Sequence, residues 1–137
     1  MSVAAIGSAN AIELKGPKER AAINARLLQT EMMVAALTCD LRPRYNRAMR
    51  TFQNDLIGHG KVLRSIFKRN HGASAQRQMD KYITQLANDA SARSNYDRGT
   101  YCQTAADLFD NVLSSSGGFD QMTTKLIQEA ALPIKSR

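Results

Sequence analysis

Residues 45–67 read YNRAMRTFQNDLIGHGKVLRSIF, and this stretch decides the fold class. Tyr45, Met49, Phe52, Leu56, His59, Leu63 and Ile66 recur at alternating intervals of four and three, the spacing of one continuous helical stripe. At 100° per residue these side chains share one side, while Arg47, Arg50, Asn54, Lys61, Arg64 and Lys68 gather on the other. The spacing predicts a single helix of about six turns with one buried and one wet face. Such a helix cannot cover its own apolar stripe, so the rest of the chain must supply the helices that do.

Working outward, Pro17 and Pro43 each suit the first turn of a helix, where their missing N–H is no loss. A first helix is expected from Pro17 to about Thr38. It offers Ile23, Leu27, Val34 and Leu37, with Leu28, Met32, Ala35 and Cys39 beside them. The glycines of Gly58-His59-Gly60 cost roughly 1 kcal/mol each inside a helix and call for a reason, either close approach of a neighbour or a bend. Asn70-His71-Gly72 ends the organising helix, and Ser74 suits the N-cap of a third carrying Ala75, Met79, Ile83, Leu86 and Ala90. Ser94 and Asp97 have the S-x-x-D form of a capping box, which places a fourth helix from near Tyr96, with Tyr101, Ala105, Leu108 and Val112 inward. A short fifth helix is expected over 119–130. The short turns make an up-down-up-down four-helix bundle with a C-terminal fifth helix the economical all-α architecture, in one domain over 12–137.

The chain of 137 residues carries a net charge of +7, and the excess is local. Between Arg42 and Arg69 eight bases stand against one acid, Asp55, which leaves eleven bases against eleven acids elsewhere. Arg47, Arg50, Lys61, Arg64 and Lys68 are therefore candidate anion-binding residues, for lipid, nucleic acid or acidic polysaccharide. A solvated helix face explains the same pattern. No stretch approaches the roughly 18 apolar residues of a membrane-spanning helix.

The first eleven residues, MSVAAIGSANA, are small, uncharged and end in Ala9-Asn10-Ala11, the A-x-A form read by signal peptidase. They have the form of the latter part of a truncated signal peptide, with cleavage expected before Ile12; a disordered tail is the alternative. In the expected bundle the end of helix 1 and the start of helix 4 share one end, which brings Cys39 and Cys102 together. A disulfide there would be at home in an oxidising compartment, whereas two buried thiols would be at home in the cytoplasm. Periplasmic or secreted is the favoured localisation and cytoplasmic the alternative.

Chemistry finds little foothold. Two histidines, no CxxC and no HExxH argue against a metal site, and no phosphate loop or nucleophile elbow appears. No cofactor is expected, and the chain reads as non-enzymatic. His59 lies in line with Phe52, Leu56 and Leu63; it reads either as a satisfied groove histidine or as a ligand-binding, pH-sensitive group.

The segment Gln29 to Cys39, Arg44-Tyr45-Asn46, Leu56 to Leu63 with its central His-Gly, Leu86 to Ser91, and Tyr101-Cys102 together resemble small exported helical proteins of alphaproteobacteria that carry two cysteines. The resemblance covers roughly residues 25 to 113. It implies export, helices and paired cysteines, and implies no activity. The expected partner is an unknown protein of the envelope, with weak polyanion binding through the organising helix as the alternative.

Overall fold

The computed structural model describes residues 12–114, and among them the chain is all-α. Five helices follow in order: α1 (Gly16–Cys39), α2 (Arg42–Thr51), α3 (Gln53–His71), α4 (Ala75–Tyr96) and α5 (Arg98–Ser114), with a single 3₁₀ turn at Gly72–Ser74. The expected cleavage site at Ala9-Asn10-Ala11 and the expected helix over 119–130 lie outside the described residues. No described helix is long and apolar enough to cross a membrane.

The organising stretch is two helices rather than one, divided at Phe52. Neither Pro nor Gly stands at the break. The Thr51 hydroxyl donates to the Arg47 carbonyl oxygen at 2.8 Å, a back-bond that competes with the helical ladder and bends it. Phe52 N–H still reaches the Ala48 carbonyl oxygen at 3.0 Å, and Leu56 N–H reaches that of Phe52 at 2.9 Å, so the joint is one residue wide. The glycines do not explain it, because α3 runs unbroken through Gly58 and Gly60. Nor do they admit a neighbour closely: a Cβ on Gly58 would meet nothing within 4 Å, and one on Gly60 only Arg64 Nη1 at 3.8 Å.

The hub of the molecule is α1, which packs against all four other helices. That is why it buries Leu27, Leu28, Met32, Val34 and Ala35 almost right round, and even Asn24, Thr30 and Glu31. Leu37, expected inward, is 65% exposed. Two apolar clusters result. One joins Leu28, Met32 and Ala36 of α1 to Ala48 of α2 and Ala105, Phe109 and Val112 of α5. The other joins Ala22 of α1 to Leu63, Ile66 and Phe67 of α3 and Met79 of α4.

The capping box expected at Ser94 is absent. Ser94 is buried inside α4 and donates to the Ser91 carbonyl oxygen at 2.7 Å. Asp97 instead takes the N-terminus of α5, accepting the Thr100 N–H at 3.2 Å, which holds its carboxyl below the usual range. Ser74 occupies the N-cap position of α4, yet its hydroxyl donates backwards to the His71 carbonyl oxygen at 3.1 Å.

Cys39 and Cys102 are disulfide-bonded, with Cα atoms 5.4 Å apart. The chain leaves α1 through Asp40 in the left-handed conformation (φ 59°), and Arg98 Nη2 donates to the Thr38 carbonyl oxygen at 2.6 Å. The end of α1 is thus held to the start of α5 covalently and by a charged hydrogen bond. Farther along α1, the buried Glu31 carboxylate accepts from Arg93 of α4 and, at 3.2 Å, from the Tyr101 hydroxyl of α5. Burial and the Glu31 charge push the Tyr101 phenol up. At the other end Glu19 of α1 takes Arg69 of α3 through both oxygens.

Candidate functional site

Between these two pinned ends a cleft of about 460 Å³ opens where α1, α2 and α3 diverge. Its floor is Ala22 and Ala25, small residues on the hub helix, and its apolar walls are Met49 of α2 with Leu56 and Leu63 of α3. The break at Phe52 places Arg50 and Gln53, one on each helix, along the same opening. Gly60 lines it too, and its missing side chain leaves space in the wall. The glycine expected to accommodate a neighbouring helix therefore accommodates a void.

The polar lining is asymmetric. Arg26, Arg50 and His59 face it with Gln29, Gln53 and Tyr45, and among the described residues no carboxylate does. Arg26 is the central group. Its Nη1 makes one long hydrogen bond, 3.5 Å, to Gln29 Oε1, and its Nε is buried without a partner. Gln29 is turned for this by its own Nε2, which points at Met49 Sδ 3.7 Å away. Burial lowers the Arg26 proton affinity, offset in part by the phenols of Tyr45 and Tyr82. In turn burial pushes the Tyr82 phenol up to about 12. No ion pair between Arg26 and a carboxylate occurs among the described residues, so this half-buried cation has no charged partner there.

Of the residues singled out from sequence, His59 is half-buried and lines the cleft. Arg47, Arg50, Lys61, Arg64 and Lys68 are all exposed. Their basic neighbours are otherwise engaged: Arg42 with Asp40 at 3.5 Å, Arg44 with Asp110 at 3.2 Å, and Arg69 with Glu19 at 2.6 Å. The five candidates pair with no carboxylate among the described residues. Only Arg50 belongs to both the exposed basic surface and the cleft.

Sequence reasoning missed Arg26, Gln29 and Glu31. One signal was present: a polar residue at nearly every turn of an otherwise apolar α1, which a helix wet on one side would not need on all sides. Asn24 Oδ1 and Thr30 Oγ1, also on α1, are buried and unpartnered as well. Among the described residues no group of three or more His, Cys, Asp or Glu is placed to hold a metal ion. No family model, curated protein or solved structure matches the chain.

Proposed function

We propose that the chain is a non-enzymatic, disulfide-stapled binding protein of the cell envelope, periplasmic or secreted, and that the cleft between α1, α2 and α3 is where it binds. The observation that carries this is the cleft itself: a concave, mainly apolar space of small-molecule size beside convergent polar groups. The Cys39–Cys102 bond supports an oxidising compartment. The lining supplies grip through apolar surface, amides and guanidinium groups, and little that could act as a nucleophile.

The test is uptake of an uncharged apolar fluorophore, N-phenyl-1-naphthylamine, by the full oxidised chain. Fluorescence should rise on binding and should fall back in Gly60→Leu, which adds bulk to the lining without a backbone clash. No uptake, or uptake unchanged in that variant, overturns the cleft as the binding site.

A second function is favoured by a separate observation, the five exposed cations without carboxylate partners. In that case α2 and α3 hold a polyanion such as nucleic acid, anionic lipid or acidic polysaccharide. Five cations engaging duplex phosphates give a slope of log K against log salt of about −4.5. Arg50→Glu with Lys61→Glu should abolish that binding and leave the fold intact. A shallow slope, or binding indifferent to the reversals, removes this alternative.

A further inference from the structure

Arg26 is an expensive residue to keep where it is. Its Nε is sealed from water and unpaired, and Nη1 makes one 3.5 Å hydrogen bond, so at Nε the lost hydration is not replaced by the protein. A methionine at that position would fill the same space without the cost. The side chain lines the cleft together with a second, exposed cation, Arg50, and the described lining contains no acid. The same lining carries the apolar side chains Ala25, Met49, Leu56 and Leu63. One anionic group and one alkyl chain are complementary to this combination.

From the cleft as binding site, on which this step rests, we propose that the ligand is a single-chain amphiphile with an anionic head, carboxylate or phosphate, held by Arg26 and Arg50 with its alkyl chain against Met49, Leu56 and Leu63. A guanidinium edge recognises either head by parallel charge-assisted hydrogen bonds. Size follows from volume. A cleft of about 460 Å³ is within the range of small-molecule sites. Dodecanoate is a small molecule of this kind.

The experiment is displacement of N-phenyl-1-naphthylamine from the full oxidised chain by dodecanoate, dodecyl phosphate, dodecanol and dodecyltrimethylammonium, all below their micellar concentrations. At least one of the two anions should displace the fluorophore about tenfold more tightly than the alcohol, and the cation should be weakest. Which anion is the tighter separates a fatty-acid source from a phosphate-headed one. In Arg26→Met the preference for anion over alcohol should fall to about the threefold that Arg50 supplies, while the alcohol binds as before and the thermal midpoint holds or rises. Arg50 is exposed, so Arg50→Gln is silent on folding; it should cut the preference roughly threefold and decides the matter if Arg26→Met fails to fold. Equal affinity of anions and alcohol in the native sequence, or a preference undiminished in folded Arg26→Met, or undiminished in Arg50→Gln where Arg26→Met does not fold, overturns the anionic ligand and leaves the cleft standing. Absence of fluorophore uptake overturns both.

Discussion

Glu19 holds Arg69 through both carboxylate oxygens, Oε2 to Nη1 at 2.6 Å and Oε1 to Nη2 at 2.7 Å, tying the first turn of α1 to the last turns of α3. Arg69 also donates to the Glu13 carbonyl oxygen at 2.8 Å, and Lys15 N–H donates to Glu19 at 2.8 Å, so the pair fixes the entry of the chain as well. Hydrogen bonding from Arg69, and next from the Lys15 backbone, brings the Glu19 carboxyl down to about 2.

A depressed carboxyl makes stability depend on acid. The unfolded chain takes up the Glu19 proton near its ordinary value of 4.5, and the folded chain only near 2. The contribution is therefore present above about pH 4.5 and drains away as pH falls towards 2. Urea midpoints measured between pH 6 and pH 2 should decline over that window, and Glu19→Gln should flatten the decline. An unchanged acid limb in the variant would show that other carboxylates carry it.

The disulfide closes a loop of sequence separation 63, for which chain entropy allows about 4 kcal/mol. Cys102→Ala should lower the unfolding free energy by about 2–4 kcal/mol by denaturant titration. Two thiols freely alkylated in natively purified protein would remove the premise.

Gly58 is helical, exposed and open to solvent where a side chain would stand. Gly58→Ala should therefore stabilise by about 0.5–1 kcal/mol, from helix propensity alone. Destabilisation on thermal melting would mean that a neighbour approaches there after all.

Glu31 is the shared acceptor for Arg93 and Tyr101 and joins α1, α4 and α5 in one polar knot, 5% exposed in an apolar setting. Glu31→Ala leaves both donors without it. Arg93 keeps partial access to water, so the loss should be about 2–3 kcal/mol, below that of a fully sealed pair. Calorimetry on the two proteins measures it.

Much of this fold is legible in the residues. The apolar stripes of α3, α4 and α5 are local patterns, and Leu63, Ile66, Met79, Ala90, Leu108 and Val112 are buried as their spacing requires. Cys39 and Cys102, expected to meet where the end of the first helix and the start of the fourth come together, are bonded between the end of α1 and the start of α5. What the spacing could not reveal depends on partners distant in sequence. The division at Phe52 goes with a Thr51 hydroxyl turned back onto the Arg47 carbonyl oxygen, and a threonine in a helix can equally point to solvent. Ser94 looks like a cap because serine caps helices, yet it is buried where α4 meets its neighbours. Arg26 was invisible for a similar reason: its meaning lies in its surroundings, and only tertiary structure shows that among the described residues no carboxylate pairs with it or lines its cleft. Gly60 carried a visible signal, but the same residue marks a close contact or an opening, and sequence does not separate the two.

The staple at Cys39 and Cys102 has a consequence for turnover. Domains of this kind keep a margin of about 5–15 kcal/mol between folded and unfolded chains. Withholding about 4 kcal/mol raises the unfolded fraction roughly a thousandfold, and proteases act on that fraction. A copy retained among reducing thiols is then cleared faster than an oxidised one, so abundance itself reports whether the chain has reached an oxidising address.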